Sequence, residues 1–355
     1  MLGSLFCLLL LSGCGPYPSA ELGEETVPAD EHQHIRRVID MFREQVAARD
    51  TSGITRRGAH PKHHGCAVGE FVIDDIDEAH NSGLFKPHAR YPLIVRFSNN
   101  ADPQSDAAAD VRGMAMKLFN VPGERLFQPE SVATTFDLLL VSHPVFLFAD
   151  VATYTEAFAA FARDEALEFF FNPLNSHVRS FLIARKMLAQ HGALDQIRWH
   201  SMVPYAFGQG RAVKYAAWSC EVRTSPPIPP DQPDFLGQRL GQQLKEKGIC
   251  FHFGVQFQTD ARRMPIEDPR VQWSERESPV VPLARIELPP QDLERSTSAS
   301  DCENLSFNPW RALPEHRPLG GISRARREIY EAMSNYRAER NRLARTEPTQ
   351  APSLK

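Results

Sequence analysis

Two runs decide the fold: Leu93-Ile94-Val95-Arg96-Phe97-Ser98 and Gly113-Met114-Ala115-Met116-Lys117-Leu118-Phe119. Each is short and rich in β-branched or long apolar side chains, and a polar, turn-rich segment separates them, which marks paired strands. Working outward, similar runs stand on either side, at Ala67–Ile73 and Thr135–Val141. A second group follows at Val203–Phe207, Ala212–Ser219, Cys250–Thr259 and Leu283–Leu288. Together they predict eight strands, and an antiparallel sheet of that size removes its edges by closing into a barrel. Ile35, Val38, Ile39, Phe42 and Val46 recur at helical spacing, so Glu31–Arg49 is predicted to be an amphipathic helix. Further helices are expected over Asp150–Phe161, Ser176–Gln190, Phe235–Gly248 and Ile322–Arg345, with an irregular Pro-rich stretch at Ser306–Gly321. The expected class is α+β: an eight-stranded antiparallel barrel with inserted and C-terminal helices. It forms one domain over residues 31–345, followed by a disordered tail over 346–355.

Composition excludes several classes. With 42% hydrophobic and 24% charged residues, the 355-residue chain can bury a sizeable core. A formal charge of −4 lacks the basic excess of a nucleic-acid binder. Six cysteines are too few for a disulfide scaffold, and no CxxC pair offers a structural zinc site. Cys220 ends one predicted strand and Cys250 begins the next, so antiparallel pairing brings them within disulfide reach. Cys66 and Cys302 have no role legible in the sequence.

Met1–Gly13 is almost wholly apolar, too short to span a bilayer but the right length for a signal-peptide core. Leu11-Ser12-Gly13-Cys14 resembles a bacterial lipobox. Cleavage before Cys14 and its acylation leave a lipid-anchored protein with residues 14–30 as tether. No Lys or Arg precedes the core, so a plain signal peptide or an uncleaved anchor stays open. Gly15 after the cysteine points to the outer membrane. The expected location is the bacterial cell envelope, as an outer-membrane lipoprotein facing the periplasm.

Three constellations carry chemistry. Arg326 and Tyr330 are four apart on the last helix and share a face. A guanidinium there favours the phenolate, a hard donor for ferric iron. Arg337 lies two turns further along that face. Arg and Tyr on a charged helix are more often solvated, so the pair alone is weak evidence. Arg211 and Tyr215 repeat the spacing on a predicted strand, where roughly 13 Å separates them. His60, His63 and His64 precede the first strand, at the mouth of the expected barrel, where a histidine can act as general base; three imidazoles there also suit a metal, or solvent. Arg96 and Ser98 are two apart on a strand and face one side. If that side is the barrel interior, Arg96 needs an anion: a cofactor carboxylate or an Asp or Glu.

In their order these residues resemble the catalase family. Arg57-x-x-His60-Pro-Lys is similar to the segment carrying the distal histidine. Val95-Arg96-Phe97-Ser98 and Asp110-Val111-Arg112-Gly113-Met114-Ala115-Met116-Lys117-Leu118-Phe119 resemble the strand pair that follows. Pro144-Val145-Phe146-Leu147-Phe148-Ala149-Asp150 resembles the next segment, and Arg326-x-x-x-Tyr330 with Arg337 the proximal helix. Phe307-Asn308-Pro309-Trp310 through Gly321 looks like the small catalase-related subgroup, which has the core domain only. The resemblance covers about residues 31–345. It implies a catalase-like barrel holding haem b at its rim, with Tyr330 the iron ligand and Arg326 lowering its pKa. It makes His60 the distal acid/base, with His63 and His64 as alternatives, and Ser98 its orienter. Arg57, Arg96 and Arg337 would meet the propionates, and Tyr154 would lie over the haem face.

The family has two Asn residues shortly before that Pro, the first acting on peroxide. Here Val141 and Ser142 stand instead. The expected activity is therefore a haem peroxidase with weak catalase turnover. It acts on hydrogen peroxide or organic hydroperoxides with an electron donor of unspecified identity. The alternatives are rearrangement of fatty-acid hydroperoxides on the same fold, and an envelope protein that merely binds haem or an apolar ligand. The partners are peroxide, the donor and a membrane; a homo-oligomer is open, and nucleic acid is not expected.

Overall fold

The computed structural model describes residues 21–50, 53–101, 104–127, 134–296 and 299–351. The signal segment Met1–Gly13, the lipidation residue Cys14 and the start of the expected tether lie outside the described residues.

Eight strands close into the barrel. They are β1 (Lys62–Ile73), β2 (Arg90–Asn99), β3 (Arg112–Leu118), β4 (Phe136–Val141), β5 (Trp199–His200), β7 (Ala212–Ser219), β8 (Ile249–Phe257) and β9 (Val281–Leu288). Neighbours run β5-β4-β3-β2-β1-β9-β8-β7, all antiparallel, and β5 pairs back to β7 through Trp199–Ala217 and His200–Ala216. A further two-residue strand, β6 (Tyr205–Ala206), pairs with β7 alongside the ring.

This corrects the expected fifth strand. Val203–Phe207 does not close the ring; Trp199–His200 does. Met202 sits at φ 59°, which turns the chain away, and Pro204 has no N–H to donate to a ladder.

Period-2 alternation sorts the faces. Phe97 of β2 lies 6.3 Å from Phe251 of β8, and Phe71 of β1 lies 5.0 Å from Phe253. These strands are not neighbours in the ring, so the rings meet across its interior. Leu93, Val95, Phe97, Met114, Met116 and Leu118 fill that core. Arg96, Ser98, Gly113, Ala115 and Lys117 alternate with them and take the outer face.

Helices cover that face. α1 (Glu31–Arg49) buries the five apolar positions read from its spacing and packs on α2 (Val151–Ala162) and α8 (Gly321–Arg340). Asp150 caps α2 by accepting from the Thr153 N–H. Two more helices, α3 (Ala166–Phe171) and α4 (Val178–Met187), complete the insertion between β4 and β5. α5 (Phe235–Glu246) links β7 to β8. After β9 come the short α6 (Leu293–Ser296) and α7 (Ala299–Asn304).

Both expected free ends are partly folded down. Residues 21–30 of the expected tether lie on the body: Gly23 N–H donates to Gln258 Oε1 at 2.8 Å, and Glu25 accepts from Arg324 at 2.6 Å. In the expected tail, Glu347 enters a buried charge cluster with Lys117, Arg311 and Thr135, where burial raises its pKa. Two disulfides form. Cys220–Cys250 joins the ends of β7 and β8, while Cys66–Cys302 spans 236 residues of sequence.

Candidate functional site

The site is built on the outer wall of β2 and β3, under α8, not inside the barrel or at its mouth. Ser98 stands directly opposite Gly113 in the ladder. A Cβ on Gly113 would fall 2.7 Å from both His60 Nδ1 and Ser98 Oγ. Glycine is what lets the imidazole lie against the strand. His60 itself has φ 53°, a turn that aims its ring back at the wall. Its buried Nδ1 has no hydrogen-bond partner, so Ser98 flanks the ring without bonding to it.

The surroundings keep His60 neutral. Burial, then the charges of Arg96, Arg326, Arg57 and Arg112, push its pKa down to about 3. Arg326 belongs to α8, so that helix brings its charge within reach of the imidazole. The other two histidines are engaged elsewhere. His64 Nε2 lies 2.7 Å from Asn99 Oδ1, in a buried network with Asp106 and Lys62, and burial lowers it to about 4. His63 pairs with Ser98 across β1 and β2 and lies 4.0 Å from Cys302 Sγ. Among the described residues no three His, Cys, Asp or Glu side chains come together to hold a metal ion, so the three-histidine alternative does not assemble.

The opposite wall is α8. Arg326 Nη2 donates to Tyr330 Oη at 3.3 Å, and its guanidinium carbon lies 5.3 Å from the centre of that ring. Two further tyrosines face the pair. Tyr154 of α2 stacks on Phe148 at 5.1 Å, and Tyr205 of β6 has a buried hydroxyl with no partner. Burial raises the pKa of both phenols, and Arg326 draws them the other way. For Arg326, burial disfavours the charge, but the phenol oxygens of Tyr330, Tyr205 and Tyr154 more than offset it. Arg211 and Tyr215 form no such pair: Arg211 stacks on Phe207, and Tyr215 lies in the core near His316.

Arg57, Arg96 and Arg337 converge below His60. Arg96 Nη2 donates to the His60 carbonyl at 3.0 Å. All three also meet Glu303 of α7. Its Oε1 lies 3.0 Å from Arg337 Nη1 and 3.4 Å from Arg57 Nε, and its Oε2 lies 3.3 Å from Arg96 Nη2. Of the two partners left open for Arg96, the glutamate is present. At the remaining positions, Val141 is buried among Val111, Val145, Ile183, Met187 and Met202. Ser142 Oγ accepts from the Arg112 N–H at 3.0 Å.

A family model described as catalase matches residues 36–186. Residues 36–186 are thus similar to the catalase family. Its whole fold is similar to catalase A from Saccharomyces cerevisiae, with a TM-score of 0.66 at 17% identity, covering 91% of this chain and 68% of that one. A fungal catalase matches with a TM-score of 0.62 at 17% identity, over 91% and 65% of the two chains. The chain thus spans about two thirds of the length of these catalases. No curated protein matches it in sequence.

The matched segment holds His60, Arg96, Ser98, Gly113, Val141 and Tyr154, while Arg326, Tyr330 and Arg337 lie beyond it and are brought to it by the fold. Glu303 and Tyr205 were not singled out by the sequence. Only a register of strands and helices that far apart reveals them. Charge balance shows what the site lacks. Three guanidiniums share one carboxylate among the described residues, so two positive charges are left over. Burial, first of all, and mutual repulsion hold Arg57 and Arg96 below the usual arginine range. Arg57 Nε, Arg96 Nε and Arg326 Nη1 are buried without hydrogen-bond partners. Buried charge of this kind is costly without an anionic partner.

Proposed function

We propose that this protein is a haem-dependent oxidoreductase that reduces peroxides at the expense of an external donor. The observation that carries the reading is the pairing of a neutral, half-buried His60 with the Arg326–Tyr330 pair of α8, beside an arginine cluster two negative charges short. Catalase-family proteins typically bind haem, and haem b is a flat dianion with two carboxylates, so the residues present fit it. Tyr330 would ligate the iron, with Arg57, Arg96 and Arg337 on the propionates and Tyr154 against the macrocycle. When bound, haem supplies the redox chemistry that splits a peroxide O–O bond. The chain's own residues do the rest. His60, uncharged at neutral pH, takes a proton from the peroxide at its imidazole and returns it to the departing oxygen. Arg326 presents a donor and a positive charge to the Tyr330 oxygen. Val141 offers peroxide no hydrogen bond, which favours donor-dependent turnover over dismutation.

A second reading is rearrangement of a fatty-acid hydroperoxide. It is favoured by a chain of aromatic rings from Tyr154 through Phe148, Phe169, Phe170 and Phe181 to the exposed Phe171, beside exposed Leu174 and Leu182. We further propose a periplasmic, lipid-anchored protein; the two disulfides fit an oxidising compartment. Among the described residues no helix is long and apolar enough to cross a membrane.

One experiment separates these readings. Purified holoprotein is given hydrogen peroxide or a lipid hydroperoxide, with and without a phenolic donor. Donor-dependent consumption supports the peroxidase, and a rearranged lipid product formed without donor supports the second reading. No turnover of either overturns both and leaves a binding protein.

A further inference from the structure

The Cys66–Cys302 disulfide lies where the arginine cluster is assembled. Cys66 of β1 is the cross-strand partner of Arg96 of β2. Cys302 of α7 immediately precedes Glu303, and the Cα atoms of the two cysteines are 5.7 Å apart. Both cysteines are buried. The bond therefore pins a six-residue helix to the strand next to the one that carries Arg96. The pinned segment supplies more than a carboxylate. The Glu303 carbonyl accepts from Arg57 Nη2 at 2.7 Å and from Arg337 Nη1, and the Leu305 carbonyl accepts from Arg57 Nη2 at 2.5 Å and Arg337 Nη2 at 3.1 Å. Without that segment, three like charges would face one another, and of the acceptors named here only the His60 carbonyl, on Arg96, would remain. A short helix 236 residues away in sequence has little cohesion of its own to supply it.

We propose that Glu303 is a positioning residue of the cofactor-carboxylate site, and that the Cys66–Cys302 bond holds it there. The grip on the cofactor is then redox-sensitive. A dithiol such as dithiothreitol gives up two electrons and two protons, the Cys66–Cys302 bond becomes two thiols, and the reagent closes into its own disulfide. Reduction frees α7, the arginines lose their common acceptor, and the propionates meet donors no longer held in place. Charge-assisted hydrogen bonds lost at this level correspond to about ten- to a hundredfold in affinity.

This rests on the haem reading above, and the test separates the two. Haem uptake by the unmodified protein tests the reading; no uptake overturns both. The rate of haem transfer from holoprotein to excess apomyoglobin, read by absorbance, tests the proposal without using activity. Changing both Cys66 and Cys302 to Ser is expected to speed transfer at least about tenfold, while changing Cys220 and Cys250 to Ser shifts it less than about twofold. Glu303→Ala is expected to speed transfer too, and removing the Cys66–Cys302 bond in that background adds little, because both act through one segment. If the Cys66/Cys302 variant does not fold, dithiothreitol treatment of the Cys220/Cys250 variant, which keeps only the bond in question, reads the same effect. Slower transfer in Glu303→Ala, which would make the glutamate a competitor of the propionates, overturns the proposal. So do fully additive effects, or transfer unchanged by loss of the bond.

Discussion

His60 gives the sharpest thermodynamic handle. Its imidazole titrates at about 3 in the folded protein, against about 6.5 in an unfolded chain. The folded pKa of this base is depressed, so between those values the unfolded state binds the extra proton. Stability contributed here is present above about pH 6.5 and is lost as pH falls toward 3. At pH 4.5 the unfolded imidazole is about 99% protonated and the folded one about 3%. Integrating from pH 7 to 4.5, this residue alone costs the fold about 2.5 kcal/mol, a value that hardly changes for any folded pKa below about 4. The assay is urea unfolding of wild type and His60→Gln at both pH values. The wild type should lose about 2.5 kcal/mol more than the variant over that interval. Equal losses would refute the claim that burial and the arginines keep His60 neutral. The same neutrality predicts peroxide consumption that stays flat from pH 8 to 5, where an ordinary imidazole would already be about thirtyfold depleted in its basic form.

Gly113→Ala places a methyl 2.7 Å from His60 Nδ1 and Ser98 Oγ. It should cost about 1–3 kcal/mol in a thermal or urea melt and remove most peroxide consumption; a variant unchanged in both contradicts the packing of His60 on the wall. Val141→Asn should raise oxygen evolution from hydrogen peroxide, by up to the 5- to 150-fold that roughly 1–3 kcal/mol of one hydrogen bond corresponds to. Oxygen-electrode traces that match wild type count against the proposal that Val141 limits dismutation.

Much of this fold was legible because its elements are strongly patterned. The spacing of Ile35, Val38, Ile39, Phe42 and Val46 defines α1 to the residue. Seven of the eight ring strands show as apolar runs, and Cys220 and Cys250 pair because their strands are consecutive in the chain. Trp199–His200 escaped because two residues have no alternation to detect, and Met202 and Pro204 broke the neighbouring run. Arg96 and Ser98 were placed correctly on one side of β2, but a period of two cannot say which side is the core. That question is settled only by Phe97 meeting Phe251 across the ring. Glu303 was invisible for a related reason: a lone acid in a six-residue helix has no local signature, and its significance comes from three arginines at positions 57, 96 and 337. Glu347 escaped likewise, its polar surroundings in sequence reading as tail although Lys117 and Arg311 bury it.

The central claim is that the Tyr330 oxygen binds haem iron, and the absorption spectrum of the purified, haem-loaded protein beside that of Tyr330→Phe tests it most directly. The account predicts a haem spectrum with phenolate charge-transfer bands in the wild type, and loss of those bands with most of the bound haem in the variant. Identical bands and haem content in the two proteins would contradict it.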